Sequence, residues 1–260
     1  MKCIFTDIDG TLLRSDKSLS RHTAEVLNRF VNEGNRLVLA SGRCIDGLEC
    51  VFSLLSQRPF LASLNGAYIE TPEGECIFSS ALDKDILLEI HEDLCRLGLG
   101  YLYFTGRQWG ADPQGIDYPR EREIVRKEGI RMGLRDILSV RDINKFLIVG
   151  DNLKISRYAK ELAMRYPELN IMQSSPVYIE INSKDADKGK AVKRVADHLG
   201  IDLDDVYAFG DYDNDISMLS SVRHSVAMAN ASPAALRSAN ERTLSNDEDG
   251  VADYIERNLI

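Results

Sequence analysis

Short unbroken apolar runs alternate along this chain with amphipathic stretches. Cys3–Thr6 (C-I-F-T), Arg36–Ala40 (R-L-V-L-A) and residues 60–64 (F-L-A-S-L) have the length and composition of buried strands. Between the first two, Ala24, Val26, Leu27, Phe30 and Val31 recur at helical spacing, with Ser20 placed to cap the helix and Gly34 to stop it. A second helix is expected over 45–57, before Pro59. Strand, helix, strand, helix, strand predicts right-handed crossovers and a parallel sheet.

After residue 66 the texture changes. Two extended pieces flank Pro72-Glu73-Gly74 as in a hairpin. Then come an amphipathic helix over 82–97, a strand at 101–104, a charged and irregular stretch over 116–129, a strand at 146–149, a helix over 155–165 and strands near 171–173 and 177–181. This block reads as an α+β insertion with its own small sheet. The first pattern resumes with a helix opened by Lys188-Gly189-Lys190, a strand over 205–210, a helix from Tyr212, a strand over 222–228 and further elements to the C-terminus. The expected fold is therefore α/β: a Rossmann-like, doubly wound parallel-sheet core with an inserted α+β cap domain. Its divisions are core 1–81, cap 82–183 and core 184–260.

The chain's 260 residues suffice for a large core with a second domain of roughly 100 residues. Hydrophobic content of 44% and charged content of 28% are those of a globular protein, and the formal charge of -9 with no basic run weighs against nucleic acid. An acidic chain of this kind binds a small anion only where a metal or a local Lys/Arg cluster overrides the general field. Five cysteines without C-x-x-C spacing indicate neither a disulfide framework nor a zinc site. No stretch has the length of a membrane span or of a signal-peptide apolar region, so a cytoplasmic protein without membrane association is expected.

The chemistry concentrates at strand ends. Asp7 and Asp9 stand two apart at the close of the first strand, followed by Gly10-Thr11. Asp9-Gly10 alone would be an ordinary turn signal, but the turn does not need Asp7. Two acids so close raise each other's pKa unless a cation compensates, and oxygen-only ligands point to magnesium. In an open doubly wound sheet, ligands sit outside the carboxyl ends of the strands. The groups expected there are Asp7, Asp9, Ser41, Asn65, Asp211 and Lys188. Each has a plain structural explanation as a turn, cap or solvated helix-start residue; their joint fall at strand ends does not. Asp211-Tyr212-Asp213-Asn214-Asp215 imitates half of a calcium-binding EF-hand loop. Ile216 and Val222 stand where that loop needs Gly and Glu, so calcium is excluded.

Four ordered motifs carry a resemblance to the phosphatases of the haloacid dehalogenase superfamily, specifically the Cof-like group with an α/β cap of type IIB. They are D-x-D-G-T-L-L at 7–13, a strand-terminal Ser in Ala40-Ser41-Gly42-Arg43, Lys188-Gly189, and G-D-x-x-N-D-x-x-M-L at 210–219. The stretches 226–231 and 246–252 also resemble the group, with Ala229 where it usually shows Gly.

The resemblance implies a magnesium-dependent phosphatase of small phosphate monoesters, such as sugar phosphates, working through an aspartyl-phosphate. In that scheme Asp7 is the nucleophile and Asp9 the acid and base. Magnesium is held by Asp7, the backbone carbonyl of Asp9, and Asp211, with Asp215 in support. Ser41, Gly42, Lys188 and Asn214 hold the phosphoryl oxygens. The partner is a small phosphorylated metabolite and the assembly a monomer or homodimer. Two alternatives stand beside it: a phosphomutase of the same superfamily, and a receiver-like phosphoacceptor module, which is about half as long and lacks a cap. In the cap, residues 105–122, with Arg107, Trp109, Arg120 and Arg122, are the expected loop facing the leaving group. A surface loop with Trp109 packed on its own domain is the competing expectation.

Overall fold

The structure is a computed structural model that describes residues 1–112 and 118–260. Its core begins with β1 (Cys3–Thr6), α1 (Arg21–Asn32), β2 (Arg36–Ala40), α2 (Glu49–Phe52), β3 (Phe60–Ser63), β4 (Tyr68–Glu70) and β5 (Cys76–Ser79). The inserted elements are α3 (Lys84–Leu97), β6 (Gly100–Phe104), β7 (Trp109–Ala111), α4 (Tyr118–Val125), β8 (Ile130–Arg131), α5 (Leu134–Val140), β9 (Lys145–Val149), α6 (Asn152–Arg165), β10 (Leu169–Ser175) and β11 (Tyr178–Ser183). The core then resumes with α7 (Lys188–Leu199), β12 (Val206–Gly210), α8 (Ile216–Leu219), β13 (His224–Ala227), α9 (Pro233–Ser238), β14 (Glu241–Arg242) and α10 (Gly250–Asn258). Two compact units result, one of residues 1–42, 49–78 and 187–260, the other of residues 43–48 and 79–186.

The first unit is built on an eight-stranded sheet in the order β14-β13-β12-β1-β2-β3-β4-β5, parallel from β14 to β3. The chain winds outward from β1 through β2 and β3, then returns to β12 on the other side of β1. The winding therefore reverses between β1 and β12, and the crevice at the C-terminal ends of these two strands is where such sheets bind ligands. β1 is buried at all four positions, and Cys3 and Phe5 pack with Val38, Ala40, Phe60 and Ala62 against Ala191, Val192 and Val195 of α7. Helix starts follow local capping rules. Ser20 accepts from Thr23 N–H and Asp187 from Lys190 N–H, each meeting a donor that the first turn cannot satisfy internally.

The second unit has a six-stranded sheet in the order β10-β11-β9-β6-β7-β8. One face carries Tyr101, Tyr103, Phe146, Ile148, Ile179 and Ile181, covered by Leu87, Ile90 and Leu94 of α3, Ile137 and Leu138 of α5, and Ile155 and Leu162 of α6. A buried acid, Asp93, ties α3 to α6: it accepts from Arg165 Nη1 at 2.7 Å, from the Tyr158 hydroxyl at 3.0 Å and from Arg96.

Three expectations need correction. The helix over 45–57 is a 3₁₀ turn at Ile45–Leu48 followed by the single turn of α2. Ile45 and Asp46 spend their N–H groups on the carbonyls of Gly106 and Arg107, and Gly47 lies inside the stretch, so a continuous helix is not supported. The stretch over 116–129 contains α4 rather than being irregular throughout; residues 113–117, part of the segment expected to face the leaving group, lie outside the described residues. Trp109 belongs to β7 and is fully buried, its indole N–H donating to Lys127 O at 3.2 Å. It is a core residue of its own unit, as an indole with one buried donor and one partner should be.

Candidate active site

β1 and β12 lie side by side, with Thr6 opposite Phe209. Asp7 therefore leaves β1, and Asp211 leaves β12, at the same edge. Asp7 stays in register, its N–H donating to Phe209 O at 2.9 Å. The turn that follows depends on Gly10, whose φ is +88° and where a Cβ would collide with the Asp211 carboxylate. Only a glycine lets the turn pass that close to a second acid.

Lys188, at the start of α7, points its ammonium into this crevice. Its Nζ is 2.5 Å from Asp7 Oδ1 and 2.6 Å from Asp215 Oδ1, and the side chain is fully buried. Asp215 Oδ2 accepts from the N–H groups of Asp211 and Tyr212, both at 3.0 Å, so donors occupy both oxygens. Asp211 Oδ1 accepts from the Thr11 hydroxyl at 2.6 Å. Asp7, Asp211 and Asp215 are all buried and each offers an oxygen within 4.8 Å of the others.

Three carboxylates facing one ammonium leave a surplus of negative charge in a dry place. Burial pushes the Asp7 carboxyl up to about 8, against the pull of Lys188, with Asp215 and Asp211 adding like charge. Asp211 is raised too, first by burial, with the Thr11 hydrogen bond opposing. Burial disfavours the Lys188 ammonium, but Asp7 and Asp215 outweigh it and hold it charged, above the ordinary lysine range. Such an arrangement fits a divalent cation. An all-oxygen donor set suits a hard ion, and the oxygens of Asp7 and Asp211 that are not already engaged could take it, while Asp215 fixes Lys188 and the backbone around Asp211.

Asp9 is half-buried and its Oδ1 accepts from Lys17 Nζ at 2.9 Å; its carboxylate is not among the clustered three. Ser41 follows β2 directly and is buried; its N–H donates to Ala62 O at 2.9 Å, and its carbonyl accepts from Asn65 N–H at 2.7 Å. The turn after β3 brings Asn65 there through left-handed φ at Leu64 (52°), Asn65 (57°) and Gly66 (84°), a strained path for the first two. Gly66 is required, since a Cβ would meet Ala191 Cβ and Asp187 O at 2.9 Å at the start of α7. Asn214 is exposed and donates to Asn65 Oδ1 at 3.4 Å, and Gly42 approaches the same amide. Two groups thus form at one sheet edge: Asp7, Asp211, Asp215 and Lys188, and Ser41, Gly42, Asn65 and Asn214.

Sequence reasoning missed the residues that hold the turn. Asn230 Nδ2 donates to Gly10 O at 2.8 Å, Asn230 Oδ1 accepts from Asn246 N–H at 3.0 Å, and Asn246 Nδ2 donates to Leu13 O at 2.8 Å. Beside them Arg14 pairs with Asp249 and Ser15 with Asp247. The two C-terminal stretches noted for their resemblance to the Cof-like group thus strap the loop that carries Asp9. No helix among the described residues is long and apolar enough to cross a membrane.

Comparison with known proteins shows the family. Residues 4–255 match the model of the haloacid dehalogenase-like hydrolase family. Phosphatase YwpJ of Bacillus subtilis is 31% identical over 97% of this chain and 98% of its own length. The 5-amino-6-(5-phospho-D-ribitylamino)uracil phosphatase YwtE of the same organism is 28% identical over 100% of this chain and 98% of its own. A crystal structure of a haloacid dehalogenase-like hydrolase from Bacteroides thetaiotaomicron superposes with a TM-score of 0.89 at 32% identity, covering 98% of each chain. The chain belongs to the haloacid dehalogenase-like hydrolase family and is an enzyme of that family.

Proposed function

We propose that this hydrolase is a magnesium-dependent phosphatase of small phosphorylated metabolites, working through a phosphorylated Asp7. The observation that carries the reading is the buried set of Asp7, Asp211 and Asp215 around one lysine, a surplus of negative charge that a divalent cation would offset. Magnesium, held by Asp7, Asp211 and the Asp9 carbonyl, would neutralise charge on the phosphoryl oxygens. Asp7 attacks phosphorus through one carboxylate oxygen while the other would hold the cation, and the alkoxide leaves with a proton from Asp9. Asp9 then takes a proton from the water that hydrolyses the acyl phosphate, restoring both acids. Ser41, Gly42, Lys188 and Asn214 bind the phosphoryl oxygens, with Asp215 orienting Lys188.

The inserted unit, residues 82–183, is assigned the role of a cap that selects the organic part of the ester. A relative named for a phosphoribitylamino-uracil supports a polyhydroxylated substrate. Hydrolysis of p-nitrophenyl phosphate with and without magnesium tests the reading: sustained turnover that chelation abolishes is expected. Stoichiometric phosphorylation without turnover would favour a phosphoacceptor module, and return of the phosphoryl group to a sugar a mutase.

A further inference from the structure

Of the group Ser41, Gly42, Asn65 and Asn214, only Asn65 has no task in the phosphatase scheme, yet the backbone takes an unfavourable path to put it there. Leu64, Asn65 and Gly66 follow one another at φ of 52°, 57° and 84°. Asparagine tolerates that region better than most residues and leucine does not, so the path costs conformational energy. Three anchors hold it. Leu64 is fully buried, Asn65 N–H donates to Ser41 O at 2.7 Å, and Gly66 fits against Ala191 and the Asp187 carbonyl. The turn is thereby fixed between Ser41 and the start of α7, the helix that begins with Lys188.

The Asn65 side chain is held as well. Its Oδ1 accepts from Asn214 Nδ2 at 3.4 Å, and a Cβ added at Gly42 would stand 3.5 Å from Oδ1 and 3.6 Å from Nδ2. The amide therefore lies against the side of Gly42 where another residue would carry its Cβ. Asn65 is half-buried, and its Nδ2 donates to no group among the described residues. A left-handed turn explains why asparagine stands at 65; it explains neither the bond to Asn214 nor two N–H donors left unused beside Ser41 and Gly42. Donors fixed in advance suit an anionic oxygen, because they need no reorganisation when it arrives. We propose that Asn65 is a further phosphoryl-binding residue, its Nδ2 donating to a phosphoryl oxygen of the ester while its Oδ1 steadies Asn214. The proposal deepens the phosphatase reading and rests on it for the identity of the anion.

Asn65→Gly is the first variant to compare with the full-length wild type, since glycine takes the left-handed path without strain and only the side chain is lost. Calorimetric titration with orthovanadate, a phosphate mimic, in the presence of magnesium reads binding without turnover. In Asn65→Gly the Kd for orthovanadate should rise about tenfold or more, and kcat/KM for p-nitrophenyl phosphate should fall by about as much, with a melting temperature no lower than wild type. Asn65→Asp keeps an acceptor for Asn214 but sets a carboxylate where the donor was, so it should bind orthovanadate no better than Asn65→Gly. Aspartate also tolerates the left-handed region, so this variant carries the comparison if glycine lowers the melting temperature. Adding Asn65→Gly to Asn214→Ala should weaken orthovanadate further than Asn214→Ala alone. Values for Asn65→Gly within about twofold of wild type overturn the proposal. So does binding restored in Asn65→Asp, or a double variant equal to Asn214→Ala, since either means that Asn65 acts only by propping Asn214. If wild type binds orthovanadate but hydrolyses no phosphate ester, the phosphatase reading fails and the titrations alone decide this proposal; if it binds no orthovanadate, the proposal fails too.

Discussion

Each unit buries an acid among charged neighbours, and the two are handled in opposite ways. In the second unit Asp93 meets two arginines and a tyrosine hydroxyl, and these partners hold its carboxyl below the usual carboxylate range although burial pushes the other way. In the first, Asp7, Asp211 and Asp215 share one lysine, and Asp7 is pushed up. Asp93 is satisfied within the fold and pins α3 to α6. The set around Asp7 is not, and a buried surplus of carboxylates marks a candidate site for a cation from outside the chain. Charge balance, more than burial, separates the structural acid from the acids proposed to act in catalysis.

The comparison breaks most visibly in turnover. Asp7→Asn keeps the shape of the site but removes the proposed nucleophile and one charge, so kcat for p-nitrophenyl phosphate should fall on the order of 10⁴-fold or more, read in a steady-state assay with magnesium. Asp93→Asn should leave turnover per folded molecule within a few-fold while lowering unfolding free energy by about 2 kcal/mol in a denaturant titration, because buried donors lose a charged acceptor. If Asp93→Asn silenced catalysis as well, the division into structural and functional acids would be wrong.

A second contrast lies in pH dependence without divalent cation. The folded-state pKa of Asp7 is raised to about 8, so the folded state binds the proton more tightly than the unfolded chain; stability from this group is present at low pH and lost as pH rises toward 8. The pKa of Asp93 is lowered, so its contribution is present above the ordinary carboxylate pKa and lost as pH falls through the folded value. Melting temperatures measured from pH 5 to pH 8 should therefore show Asp7→Asn gaining on wild type as pH rises. Magnesium should erase that gain by stabilising the wild type. A melting temperature of Asp7→Asn that falls relative to wild type as pH rises would contradict the sign.

Much of this was legible from the chain. Asp7, Asp9 and Gly10 are adjacent in sequence, and Lys188 begins a helix whose cap and apolar stripe are local, so a linear reading reaches them. The strand ends of a parallel sheet did the rest, since a buried run followed by a small or polar residue fixes both the strand and what it delivers. What stayed hidden depends on partners far along the chain. Nothing near Asn230 or Asn246 marks them as holding Gly10 and Leu13, which lie more than 200 residues away. The helix over 45–57 failed because its first N–H groups bond to Gly106 and Arg107, and Trp109 passed for a loop residue because β7 is only three residues long.

The smallest effect expected here belongs to that strap. Asn230→Asp keeps the acceptor for Asn246 N–H but loses the donor to Gly10 O, and should lower kcat by about three- to tenfold, a cost of about 1 kcal/mol. An unchanged kcat would make the strap a matter of stability alone.

The central claim, that Asp7 itself becomes phosphorylated, is tested most directly by rapid acid quench during turnover followed by mass spectrometry of the peptide spanning residues 3–14. The account predicts a phosphoryl group on Asp7 that forms only with magnesium, decays at a rate compatible with kcat and is absent from Asp7→Asn. Turnover in which the phosphoryl group appears on another residue would contradict it, as would its appearance in Asp7→Asn.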